Sequence, residues 1–445
     1  MPRLLHYALP LSLNADAYLQ WAVQTGFRYF PSGRKSVVVL LVEFAAKQPI
    51  RLRDAAWSRA LKGAGLQISD WYDGYHYAKV TASAGKLPAQ LATLQKLGAT
   101  CFELADPSGI MATPFSSLAI TSSAQGPDTV LGIVDDGCPF AHRHYLDRAP
   151  TQRTPAVRFV WDQGRLVPGN LGTPLAYGVA YLQADLQAFV QMATTANGTI
   201  DEDSAYMRSG LPSLRGASSH GAQVLSHATG NARDSTPAML LQRSDIAFVQ
   251  LPADALDDPS GNWLDHYALD GIHAVRTYAE KGFANPASRV VINLSYGRQT
   301  GPHDGSSNFE KAVDEITIKA ATDGYYLKVV VPSGNSHRLR SHAEFDLNQG
   351  GGVIDWCVAP DSQLPSYLEV WLPTGTSMAT LDVSLTSPAE ETIPSGHTSN
   401  DGTAWVSDLP VCGNPAKTVI RMVIAPTARR PESGTPVAPL AVSGR

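Results

Sequence analysis

Four residues with complementary chemistry follow one another along the chain: Asp135, His220, Asn335 and Ser377. A carboxylate can fix the tautomer of an imidazole and stabilise its cation. The imidazole can then take the proton of a serine hydroxyl, and a side-chain amide can donate to the oxyanion that forms. Each residue alone also has a plainer explanation. Asp135 closes the run LGIVDDG, where an acidic residue before Gly137 commonly makes a turn. His220 comes after Ser219, a good N-cap, and a histidine at a helix start usually carries no function. Asn335 sits in SGNS and is an ordinary turn residue by type. Only convergence in space would turn these four into one site.

The elements around them favour convergence. From Thr129 onward, TVLGIVDDG, DIAFVQLP, RVVINLSYG and LKVVVPSGN each place four or more apolar residues in a row. Strands apolar on both sides belong in parallel sheets covered by helices on both faces. Helical patterns alternate with them: GAQVLSHATG, LDHYALDGIHAVRTYAEKG and FEKAVDEITIKAATDG. Residues 128–348 are therefore expected to form an open α/β domain. Such sheets bind ligands at the carboxyl ends of their strands, and Asp135, Leu294 to Gly297, and Asn335 all stand at or just past such ends. Between Asp135 and His220 a helical insert, LAYGVAYLQADLQAFVQMATT, and the polar NGTIDEDS are expected to form a surface excursion.

Two other regions differ in character. Residues 1–105 contain the order βαββαβ: a β-branched run at 37–44, a helix over 51–64, strands at 66–71 and 75–80 joined by Asp73-Gly74, a helix over 88–97 and a strand at 100–104. This predicts a ferredoxin-like domain. Residues 106–127 are rich in Ser, Pro, Gly and Thr and read as a linker. Residues 349–445 carry short strand-like segments, VIDWCVAPD, SYLEVWLP, ATLDVSLTSP, TAWVSDLP and KTVIRMVIAPT, which predict an antiparallel β-sandwich.

Composition narrows the function classes. The chain has 445 residues, 44% hydrophobic and 17% charged, with a net charge of -5. A mild charge gives no electrostatic case for nucleic acid or an anionic membrane. No apolar run approaches the roughly 20 residues that span a bilayer. The N-terminal apolar patch is broken by His6, Tyr7 and Pro10, which makes a poorly formed signal peptide, and an ordinary ordered N-terminus is the expectation. Four scattered cysteines with no CxxC pair read as buried free thiols, which leans towards the cytoplasm. His142, His144 and His227 beside Asp136 lack a second ligand set of matching spacing, and the acidic 201–203 stretch is an equally weak calcium candidate, so no metal is expected.

With the motifs in place, a resemblance emerges. LGIVDDG, SSHGAQVLSHATG, VINLSYG and VVPSGN resemble, in order, the Asp, His, substrate-strand and oxyanion-Asn blocks of subtilisin-like (S8 family) serine proteases. The match runs over residues 129–337. It implies that Asp135 orients His220, that His220 serves as general base and then general acid, that Asn335 holds the oxyanion, and that Leu294, Ser295, Tyr296 and Gly297 pair with a peptide substrate. Asp136 stands where many members have Ser or Thr, and Gln223 where many have His. The N-terminal domain resembles the propeptide of these proteases, an intramolecular inhibitor, although a permanent accessory domain fits its pattern as well. No cofactor is implied.

Ser377 is ambiguous. Gly375-Thr376-Ser377-Met378-Ala379 is the pentapeptide that surrounds the family's nucleophile. That nucleophile needs a helix start. The residues after Ser377 are β-branched at Thr380, Val383 and Thr386, and the run closes at Pro388, so the segment reads as a hairpin tip. The strands around it resemble a β-sandwich insertion that some bacterial relatives carry, in which case the serine block would lie beyond Arg445. There are two alternatives to an endopeptidase: a catalytically silent subtilisin-like binding protein, or another hydrolase using the same Asp-His pair, for which no further motif speaks.

Overall fold

The computed structural model describes residues 14–25, 27, 37–47, 55–106, 127–146, 154–165, 173–174, 177–211, 214, 219–229, 244–257, 261–283, 285, 287–346, 350–357, 366–371, 383–386, 392–396, 405–411, 414–424 and 439–444. The N-terminal region begins with α1 (Ala17–Thr25), a helix that the βαββαβ pattern does not include. It continues through β1 (Val37–Phe44), α2 (Ala55–Ala64), β2 (Gln67–Ile68), β3 (Tyr77–Ser83), α3 (Leu87–Lys96) and β4 (Ala99–Asp106). The sheet runs in the order β2-β3-β1-β4 and is antiparallel throughout. That order is the split βαβ arrangement the element pattern predicts.

The central region is mixed α/β. Its strands are β5 (Thr129–Asp135), β6 (Val157–Asp162), β7 (Thr173–Pro174), β8 (Val179–Leu182), β9 (Ser244–Gln250), β10 (Arg289–Leu294) and β11 (Tyr326–Val330). Their order is β11-β10-β5-β9-β6-β8-β7. The first five in that order are parallel, and β8 and β7 close one edge antiparallel. Its helices are α4 (Gln183–Met192), α5 (Glu202–Ser209), α6 (His220–Thr229), the short α7 (Ala253–Leu256), α8 (Asp265–Lys281) and α9 (Asn308–Thr322). None among the described residues is long and apolar enough to cross a membrane.

Alternation along the strands sorts the sheet into two apolar layers. Ile133, Ile246, Phe248 and Val160 face Leu186 and Phe189 of α4 and Leu225 of α6. Val130, Val134, Ala247 and Val249 face α8. Gly132 and Gly271 let α8 lie close on the sheet: a Cβ at Gly132 would come 2.7 Å from Val275, and one at Gly271 3.2 Å from Val134. The layer under α8 does not stop at the central region. It is continuous with the core of the N-terminal sheet, including Leu40, Val80, Leu91 and Phe102.

Three expectations need correction. The stretch read as one helical insert divides into β8 and α4, because Val179 to Leu182 pair with β6 before Gln183 starts the helix. β11 is not covered on both faces: Tyr326, Lys328 and Val330 are exposed at the sheet edge. Residues 353–357, read as a strand, carry none, and Cys357 there is exposed, whereas Cys101 and Cys138 are the buried free thiols expected. Beyond residue 360 lie β12 (Ser366–Trp371), β13 (Val383–Thr386), β14 (Thr392–Gly396), β15 (Trp405–Val411), β16 (Asn414–Ile424) and β17 (Pro439–Gly444). They form a four-stranded sheet, β12-β17-β16-β15, and a two-stranded one, β13-β14, and their strands pair antiparallel in both.

Candidate active site

Asp135 is the last residue of β5 and is fully buried. His220 is the first residue of α6. Their side chains meet, with His220 Nδ1 2.8 Å from Asp135 Oδ1. The histidine side chain is 48% exposed, so its far nitrogen can be reached from solvent while its near one is held inside. Among the described residues no hydrogen bond reaches His220 Nε2.

The approach of strand end and helix start is fixed by main chain and small groups. Ser219 Oγ caps α6 by accepting from Ala222 N at 3.2 Å. The same hydroxyl lies 3.1 Å from Asp136 Oδ1, as a donor. Asp136 Oδ1 also accepts from Gly221 N at 2.7 Å, so a carboxylate satisfies an orphan N–H of the helix's first turn from across the chain. Two glycines make room. A Cβ at Gly221 would sit 1.8 Å from Asp136 O, and one at Gly137, whose φ is +60°, would sit 1.8 Å from Ser219 Oγ. The Asp-x-Gly and His-Gly patterns in the sequence are therefore the two halves of one clasp. The helix N-terminus is poised to favour negative charge at Asp135 and Asp136.

Asp135 is stabilised unevenly. Oδ1 holds the imidazole and accepts from Asp136 N at 2.8 Å. Oδ2 is buried and has no hydrogen-bond partner among the described residues. Burial dominates and pushes the carboxyl up to about 6, against the lowering by its bond to His220. The neighbouring Asp136 carboxylate is turned to Ser219 and Gly221 instead.

The predicted peptide strand lies alongside. Leu294 ends β10 and is buried; Ser295, Tyr296 and Gly297 continue past the sheet edge. Asn293 Nδ2 donates to Ser295 Oγ at 2.6 Å. The Tyr296 ring lies 5.0 Å from the His220 ring, tilted 59°, so it walls one side of the imidazole. Burial, then the charges of Asp135 and Asp136, raise the Tyr296 hydroxyl above its ordinary range. Sequence reasoning placed Tyr296 on the strand but not against the histidine. The contact joins residues on separate strand-and-helix units, so no local pattern in the sequence signals it.

Asn335 occupies an exposed turn past β11 and precedes a short 3-10 turn. Ser336 Oγ lies 3.0 Å from Gln299 Oε1, which ties this turn to the segment leaving the peptide strand. Because β5, β10 and β11 are parallel, Asp135, Leu294 and the Asn335 turn share the carboxyl edge of the sheet. Ser377 lies outside the described residues. Ligand atoms of Asp135, Asp136 and His220 fall within 4.8 Å of one another, a spacing that could hold a cation, but Asp136 Oδ1 and His220 Nδ1 are already committed to hydrogen bonds. The His142 and His144 rings meet edge-to-face, 4.6 Å between centres, and do not join that group.

The arrangement defines a class: a mixed α/β protein with a parallel-rich sheet and a carboxylate–imidazole pair at its carboxyl edge. No family model and no curated protein matches the chain. Among solved structures it is similar to the Clostridium perfringens CspB protease, at 16% identity and a TM-score of 0.41. The likeness covers 72% of this chain and 57% of that one.

Proposed function

We propose that the protein is a serine endopeptidase of the subtilisin-like kind, with peptides or proteins as substrates. The observation that carries the reading is the 2.8 Å contact between buried Asp135 and half-exposed His220, made by the two residues that the sequence order singled out. In this reading Asp135 holds the Nδ1–H tautomer, which leaves Nε2 free as the base. His220 removes the proton of a serine hydroxyl and returns it to the leaving amine. Asn335 donates to the oxyanion, and Leu294 to Gly297 hydrogen-bond the substrate backbone as an added strand. Tyr296 narrows the cleft beside the imidazole. The C-terminal sheets form a sandwich beside this domain. Ser377 is the candidate nucleophile within the sequence.

A fluorophosphonate probe tests the reading. The protein should label on serine, the label should be lost in His220→Ala, and peptide mapping should place it on Ser377. A label on another serine keeps the enzyme and moves the nucleophile. The alternative reading is a silent binding protein. It wins if no serine labels at any pH tested.

A further inference from the structure

We infer that the N-terminal βαββαβ domain is a permanent part of the folded molecule, locked by buried charged groups, and not a piece that can leave once the linker is cut. This rests on the interface alone and not on whether the site is catalytic.

Helix α8 is buried at all but three of its 17 residues, including Asp265, His266, Asp270, His273 and Arg276. A helix apolar on one face and charged on the other normally shows the charged face to water. Here the central sheet covers one face and the N-terminal domain the other. Asp270, at the middle of α8, accepts from three donors. Tyr72 reaches Oδ1 at 3.0 Å, Tyr177 reaches Oδ2 at 2.8 Å, and Lys79 of β3 makes an ion pair with the same oxygen. Lys79 and Asp270 are almost wholly buried. Lys79 also lies over the Tyr177 ring, 4.5 Å from its centre. Removing the domain would take away the ammonium and one hydroxyl together.

Other contacts repeat the pattern. His76 holds Glu315 of α9 through its backbone N at 2.9 Å and Nδ1 at 2.8 Å. Glu103 Oε1 accepts from Asn308 N at 3.2 Å, the first residue of α9. Trp71, Tyr72 and Tyr75 surround His273, a buried imidazole that burial alone lowers to about 3.

A second junction ties in the C-terminal sheet. Asp16 and Ala15 fasten α1 to β4, with Leu104 N donating to Asp16 Oδ2 at 2.9 Å and Ala15 bridging Phe102. From α1, the Tyr18 hydroxyl donates to Glu369 of β12 at 2.6 Å, and its ring meets Trp263 and Tyr367 edge-on. Glu369 Oε2 accepts from Gly301 N at 2.6 Å. Arg298, one residue past the peptide strand, bonds Asp265 at 2.9 Å. Burial opposes its charge, but Asp265, Glu103 and Glu369 outweigh burial and raise its pKa, so one guanidinium answers carboxylates from three regions of the chain. A charge left alone in such a place is far costlier than the pair.

The test inserts a site-specific endopeptidase recognition sequence between Phe115 and Ser116 of the full chain. The protein is cut while folded and passed over gel filtration at micromolar concentration in roughly 0.15 M and 1 M NaCl. Both fragments should co-elute at both salts, because buried pairs are little screened, and should separate only in denaturant that also unfolds the larger fragment. Separation in native buffer, with the larger fragment still folded by circular dichroism, overturns the inference. In the cut Tyr72→Phe variant, which loses one donor to Asp270, release should begin at lower urea than in the cut parent; an unchanged onset removes Asp270 from the lock. Neither readout depends on serine labelling.

Discussion

Two buried aspartates face basic groups, and they are treated in opposite ways. Asp270 has both oxygens filled, by Tyr72, Tyr177 and Lys79, in a place closed to water. Asp135 has one oxygen filled and one that finds no partner among the described residues, and its partner imidazole stands half in solvent. Saturated buried polar groups add rigidity, whereas an unsatisfied one marks a place where structure has been traded for something else. A joint and a reactive site can both contain a carboxylate and a base; the filling of the second oxygen and the exposure of the base tell them apart.

The strongest perturbation acts on the saturated side. Lys79→Ala leaves Asp270 buried without its cation and should lower the unfolding free energy by about 3–5 kcal/mol in urea titration. Replacing both partners, Lys79→Met with Asp270→Leu, should cost clearly less than the sum of the two single changes, since no charge is then stranded.

The bare side predicts a pH dependence of definite sign. Asp135 titrates near 6 in the fold, above its unfolded 3.8. The folded state therefore binds the proton more tightly, and the stability this provides is complete below about pH 4 and lost as pH rises through 6. Asp135→Asn carries no such penalty. Its stability relative to the parent should improve by on the order of 3 kcal/mol between about pH 4 and pH 8, read from paired thermal or urea unfolding curves. A constant difference across that range would mean that Asp135 is not charged at a cost. Fluorophosphonate labelling of the parent should fall as pH drops below about 6, when the carboxylate that holds His220 is protonated.

Smaller effects come from loosening the clasp. Gly221→Ala forces a Cβ against Asp136 O and should cost about 1–3 kcal/mol while abolishing probe labelling, because the helix start must shift. Ser219→Ala removes the α6 cap and should cost about 1 kcal/mol, with labelling reduced but measurable.

Much of the fold is legible in the sequence for stated reasons. β5, β9 and β10 announce themselves as apolar runs because they lie inside a parallel sheet, flanked by strands on both sides; β11 shows such a run too, although it lies at the sheet edge with Tyr326, Lys328 and Val330 exposed. β8 escapes notice because four residues of an antiparallel edge strand run straight into a helix with no break between them. α1 is hidden in an N-terminus whose leader-like features draw the eye. Asp135 and His220 stand out through their flanking glycines, and the clasp shows why glycine must flank them. Asp136 shows in the sequence only as a departure from a hydroxyl residue. Its capping role acts across 85 positions, so no local pattern could reveal it. The charges of α8 mislead in the other direction: Asp270, His273 and Arg276 look solvent-facing by type, and only the packing of another part of the chain against them makes them interior. A hydrophobic pattern reports what one element buries on its own account, not what a distant one brings to it.

The clasp at Gly137, Ser219 and Gly221 also constrains the chain between its jaws. Both ends of that excursion are pinned within a few ångströms of each other, and the pinning atoms belong to the ends themselves. Between those ends the chain supplies β6, β7 and β8 of the central sheet and the helices α4 and α5, so the same contacts that seat the carboxylate against the imidazole also close the loop of chain that builds one edge of the sheet.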